Sequence, residues 1–141
     1  MDSEEIFRKY LRQAMISSTE DVAEYARQHH WFTSRTGNLE RAIEGGYTDD
    51  GREGWVEINR AVAKYGPYVH EGFPPHVIEP RIKKALRWFA NDEVHFAKRV
   101  NHPGFKGDPF LFEALDAREN VIFGIFSNRV DAAVKEIVKG L

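Results

Sequence analysis

"KRVNHPGFKGDPFLFEAL", residues 98–115, is the stretch on which the reading of the fold turns. It joins a strand-like run to a helix-like run through His102, Pro103 and Gly104. Pro103 fixes its own φ and restrains the residue before it, while Gly104 permits a positive φ. The segment reads as a rigid bracket. Downstream, Asp108 as N-cap and Pro109 at the first helical position predict the start of a C-terminal helix. Leu111, Leu115, Ile122, Phe126, Val130, Val134, Ile137 and Leu141 give that helix one apolar stripe. About 30 residues at roughly 1.5 Å each span on the order of 45 Å, more than the width of a globule of this size. Gly124 at mid-helix predicts a close contact or a bend.

Immediately upstream lies "KALRWFANDEVHFAKRV", residues 84–100, a hairpin signal. A three-residue loop of Asn91, Asp92 and Glu93 pairs Ala90 with Val94 and Trp88 with Phe96, gathering the apolar side chains on one face. A two-residue loop instead pairs Trp88 with His95 and Phe89 with Val94. One residue of slip moves every side chain to the other face, and burial favours the three-residue loop.

Further upstream, residues 4–29 predict a long helix capped by Asp2 or Ser3, with acidic residues in its first turn. Its stripe is Phe7, Leu11, Ala14, Ser18, Val22, Tyr25 and His29, and it thins where Ser17, Ser18 and Thr19 fall. So thin a stripe on so long a helix leaves part of it for a neighbour. Thr36 predicts the N-cap of a short helix carrying Leu39 and Ile43 inward. "EGGYTDDGREG", residues 44–54, holds four glycines and four acidic residues and predicts a mobile loop. Residues 55–62 read as a strand with Val56 and Ile58 on one side. Residues 63–75 are broken by Gly66, Pro67, Gly72, Pro74 and Pro75. One helical turn fits from Tyr68 to Glu71, and the proline pair holds the next segment extended. The fold class is α+β: one domain over residues 1–141, a small antiparallel sheet with a long N-terminal and a long C-terminal helix.

Composition narrows the chemistry. The chain has 42% hydrophobic residues, 13% aromatics and no cysteine, which excludes disulfides, thiolate catalysis and Cys-ligated zinc. No apolar run approaches the roughly 18 residues of a membrane span, and the acidic N-terminus lacks the pattern of a signal peptide. The expectation is a soluble protein made in a cytoplasm. A net charge of −2 hides two patches. Residues 40–57 carry six acidic groups, including Glu44, Asp49, Asp50 and Glu53, against Arg41 and Arg52. Residues 81–106 carry Arg81, Lys83, Lys84, Arg87, Lys98, Arg99 and Lys106 against Asp92 and Glu93. Complementary patches of this kind suit a head-to-tail subunit interface. The basic hairpin could alternatively meet nucleic-acid phosphates, although it lacks a recognisable motif.

Six histidines raise metal or acid–base chemistry. None forms the i, i+4 helical pair of a zinc site, and no phosphate loop is present. A small metal-dependent hydrolase using His70, His76 or His102 with Glu71 is the enzymatic alternative. The geometric reading of His102 is tighter: its ring bonds a backbone group and the turn positions the helix.

Three elements, in order, resemble a known family. They are Thr36, Gly37 and Leu39; then Tyr68, Glu71 and Gly72; then His102, Pro103, Gly104, Pro109, Phe110 and Leu111. With "IEPRIKKALRW" at residues 78–88 between them, they make the chain, from about residue 26 onward, similar to the tailed-phage head–tail joining or tail-completion proteins. The chain departs from that pattern in having Phe73 and Phe105, where the family often has a small or hydroxylated residue. The resemblance implies a virion structural protein at the head–tail junction, neither an enzyme nor cofactor-dependent. It implies a homo-oligomeric ring, a hexamer, between portal-side connector proteins and the tail tube or its terminator, in possible contact with packaged DNA.

Overall fold

The structure, a computed structural model, describes residues 1–72, 74–78, 86–90, 93–97, 100–102 and 104–141, with 76–78, 86–90, 93–97 and 100–102 as backbone only. The first helix, α1, runs Ser3–Gln28. It opens as the acidic start predicts: Asp2 accepts from Glu5 N–H at 2.8 Å, and Asp2 N–H donates back to the Glu5 carboxylate at 3.3 Å. This reciprocal pair satisfies two of the donors a helix start leaves open. The last helix, α4, runs Phe110–Lys139. It lies antiparallel against α1, joined by Arg118 donating to both Asp21 oxygens at 2.8 and 2.9 Å, Arg129 to Gln13 at 3.3 Å and Lys9 to Glu136 at 3.4 Å.

Between the long helices stand α2, Asn38–Ala42, and the antiparallel pair β1, Ile43–Tyr47, with β2, Gly54–Ile58. Ile43 pairs with Ile58 and Tyr47 with Gly54. This overturns the mobile loop expected at residues 44–54. The glycines are there for close approach: a Cβ on Gly45 would lie 2.9 Å from Thr19 Cβ, and one on Gly54 2.9 Å from Thr19 Cγ2. The polar middle of the α1 stripe is therefore buried, with Ser18 and Thr19 beneath the ribbon. The turn at residues 48–53 is closed by Thr48 N–H to Glu53 O and Gly51 N–H to Thr48 O, each 3.0 Å. Asp50 accepts from the Thr48 hydroxyl at 2.7 Å and from Arg52 N–H at 3.0 Å, which lowers its carboxyl below the usual value. Its neighbour Asp49 is exposed.

The predicted strand at residues 55–62 ends at Ile58, where Asn59 N–H donates to Ala42 O at 2.7 Å and the chain turns. Thr36 does not cap α2. Gly37 does, in the left-handed region, while the Thr36 hydroxyl accepts from Asn38 N–H at 3.3 Å. Then come α3, Gly66–Glu71; β3, His76–Ile78; β4, Leu86–Ala90; β5, Glu93–Ala97; and β6, Val100–His102.

Among the described residues the antiparallel pairing takes the form of two-stranded ribbons, β1–β2, β3–β6 and β4–β5. The register of β4–β5 sets Trp88 opposite His95 and Phe89 opposite Val94, so the three-residue loop is corrected to a two-residue connection. The apolar residues of these strands do not alternate cleanly enough for burial to select a register, and the Asn-Asp pair suits a two-residue hairpin. Arg81, Lys83, Lys84, Lys98, Arg99 and Pro103 lie outside the described residues, and Arg87 is in β4.

Among the described residues the core is small-sided. Seven of the eleven buried apolar side chains are alanines, and the largest are Phe110 and Ile43. Large apolar groups instead face outward along α4, among them Phe112, Leu115, Phe123, Val134 and Val138. The chain exposes 10442 Å², whereas a compact monomer of its mass exposes about 7,500 Å². Gly124 has open space around it among the described residues, which supply no close contact there.

Candidate functional site

Two of the three family-like elements meet at one joint, and the first lies beside it. At the end of α3, Gly72 has φ +79°, and in the approach to α4, Gly107 has φ +90°. A Cβ on Gly107 would stand 2.8 Å from the Glu71 carbonyl carbon, and one on Gly72 2.8 Å from Gly107 N. Main chain rests on main chain, in a backbone region that side-chain-bearing residues adopt only with strain. Asp108 N–H continues the contact by donating to Val69 O at 2.8 Å. Gly66, at the start of α3, fits beneath Leu39 of α2; a Cβ there would be 3.1 Å from Leu39 Cδ1.

The start of α4 is not capped by Asp108, as the sequence suggested. Pro109 occupies the N-cap and makes no side-chain capping bond. The capping group comes from another element: Leu111 N–H donates to His70 Nε2 at 3.3 Å. That bond requires Nε2 to be unprotonated, so Nδ1 carries the proton and donates to Glu71 Oε1 at 3.1 Å. The His70 ring is buried, edge-on to Phe110 and Phe112 at 5.1 and 4.8 Å. Both of its nitrogens are engaged, and its role here is that of a strut.

Asp108 serves a different end. It is 2% exposed, and its Oδ2 accepts from Trp31 N–H and, at 2.8 Å, from Phe32 N–H, while Oδ1 has no partner. The carboxylate thus pins the chain as it leaves α1, and Phe32 packs edge-on to Phe110 at 5.1 Å. Trp31 is left 85% exposed. Sequence reasoning passed over Trp31. The available signal was a tryptophan just beyond a long helix whose side chain no periodic stripe claims.

The remaining predicted positions are dispersed. Thr36 and Gly37 border the start of α2, and Tyr68 points to solvent. Gly104 has φ +81°, as its place after Pro103 predicted. His102 ends β6 opposite His76, a juxtaposition that sequence spacing could not give. Of the acidic group, Glu44 stands opposite Glu57 in the β1–β2 ribbon, and Glu53 is exposed at its turn. Among the described residues no three His, Asp or Glu side chains are grouped as a metal site, and no helix is long and apolar enough to cross a membrane. No protein-family model, curated protein or solved structure matches the chain.

Proposed function

We propose that the chain is a structural protein of a tailed-phage or prophage virion, a ring-forming adaptor in head–tail joining or tail completion. The observation that carries this reading is the behaviour of the family-like elements. Glu71–Gly72 of the second element rests main chain on main chain against Gly107, which lies between Gly104 and Pro109 of the third, with Leu39 of the first packed beside the joint, and the neighbouring His70 is used to position Leu111. Residues used for geometry suit an assembly part, whose work is to hold a surface in register with its neighbours. The outward apolar groups of α4 and the acidic β1–β2 ribbon would meet other copies in a hexameric ring and the portal-side and tail-tube proteins above and below it. No cofactor enters this role.

The test is genetic and physical. Disrupting the gene in a producing phage or lysogen should yield filled heads and free tails that fail to join, restored by supplying the protein. Mass spectrometry of purified virions should find it in about ring stoichiometry, a small closed number of copies per particle. Joined, infectious particles lacking the protein would refute the proposal.

A further inference from the structure

A cleft of about 400 Å³ lies where α1 ends, lined by Tyr25, Gln28, His29, His30, Trp31 and Glu113 of α4. Its polar groups can be assigned from the bonds they already make. The Gln28 side-chain N–H donates to Glu24 at 2.8 Å, which leaves the amide oxygen Oε1 open. His29 Nδ1 faces the Tyr25 carbonyl at 3.0 Å, so Nδ1 carries the proton of the neutral ring and Nε2 is an acceptor. Both nitrogens of His30 are engaged, by Phe32 O at 3.0 Å and by Glu40 at 3.1 Å. Glu113 is exposed, and among the described residues no ion pair or side-chain hydrogen bond holds its carboxylate. The open groups of the cleft are therefore chiefly acceptors: an amide oxygen, a ring nitrogen and a carboxylate.

Charge points the same way. The cleft sits at the C-terminal end of a 26-residue helix, the negative end of its dipole. Beneath the Trp31 main chain is the Asp108 carboxylate, 2% exposed and paired with no cation among the described residues. The nearby cations are already paired: Arg27 with Glu24 at 3.1 Å, and Arg118 with both Asp21 oxygens. One wall is aromatic. Trp31 is 85% exposed on a main chain that Asp108 fixes, and His29 stacks on Tyr25 at 3.9 Å. An indole face near a carboxylate suits a cation, and indole is the strongest aromatic partner a cation has. Acceptors on several sides of a flat ring favour a planar group that carries several N–H donors. Guanidinium is that group: it stacks on aromatic faces, is more weakly hydrated than an ammonium and offers five donors.

We infer that this cleft binds the guanidinium of an arginine side chain on a partner protein. The group stacks on Trp31 and pairs with Glu113, with Gln28 Oε1 and His29 Nε2 as further acceptors. All of these groups are exposed, so one guanidinium adds little alone, and the cleft serves as one anchor within a wider contact. An arginine within a peptide suits it better than free arginine, whose α-carboxylate would meet Glu113 and the helix end with like charge. The inference goes beyond the adaptor reading and does not depend on it.

The experiment is a titration of the isotopically labelled full chain, followed by NMR at constant ionic strength. The probe is the blocked peptide acetyl-Gly-Ser-Arg-Ser-Gly-amide. Three tryptophans give three indole N–H signals, and Trp31→Phe identifies that of Trp31. The Trp31 indole and the main-chain amides of His29 and Glu113 should shift together and saturate in the millimolar range. Trp31→Ala and Glu113→Gln should each weaken binding, read at the His29 amide, by about 2–5-fold, the loss of one exposed cation–π contact or ion pair. Both positions are exposed, so signals away from the cleft should stay in place. Lysine in place of the peptide's arginine should bind several-fold more weakly, and citrulline, its uncharged isostere, should move nothing. Lysine equal to arginine overturns the guanidinium assignment, and citrulline equal to arginine overturns recognition of charge. Free arginine that saturates where the peptide does not overturns the protein partner. A peptide that moves no signal at the cleft, or binds both variants undiminished, overturns the site.

Discussion

His70 shows how a residue type that suggests chemistry can be used as a spacer. Its neutral Nε2 takes the place of the N-cap that Pro109 cannot supply, and its buried ring separates Phe110 from Phe112. Replacing it with alanine leaves Leu111 N–H without its acceptor and opens a void beside Phe110. The expected loss is about 2–4 kcal/mol in chemical denaturation, from an unsatisfied donor plus a cavity. His70→Gln, which can still present an acceptor, should recover part of it. Gly104 was readable from its position after Pro103, because only backbone chemistry was involved. The role of His70 was not, since its partner lies 41 residues away.

At the scale of elements, the β1–β2 ribbon departs most from expectation. Glycine and acid content argue for mobility when a segment is taken alone; against α1, the same glycines allow a strand to lie on Thr19. Composition is a local property, and close approach is not. Asp50 gives this element a pH signature. Its folded carboxyl is held below the ordinary value, first by the Thr48 hydroxyl and then by Arg52 N–H. It therefore adds stability above its unfolded pKa and loses that contribution as pH falls through the lower folded value. Denaturation curves for Asp50→Asn should show a weaker acid dependence than wild type below about pH 4. In α4, a Cβ on Gly124 meets nothing among the described residues, so Gly124→Ala should stabilise the monomer by about 0.5–1 kcal/mol through helix propensity. A rise in thermal midpoint checks this. The long helices themselves were legible from periodicity to within a residue or two, and α1 from its Asp2 cap as well. The β4–β5 register was not, because Trp88, Phe89, Val94 and Phe96 support either face and the turn decides.

For the whole molecule, the α+β arrangement stems from two helices too long to be enclosed by the few elements between them. The alanine-rich interior lets α1 and α4 lie close together but buries little of the large apolar content. Scattering from dilute protein should give a radius of gyration above the about 14 Å of a compact chain of this length, and a value near 14 Å would contradict the open form. The joint at Gly72 and Gly107 carries a further consequence. Where two stretches of main chain grip one another, the contact itself depends on the two glycines and not on the identity of most neighbouring side chains. Lineages sharing this architecture are thus free to drift until a handful of glycines is the only trace of common descent, and kinship would be found by tracing backbone shape rather than by counting identical letters.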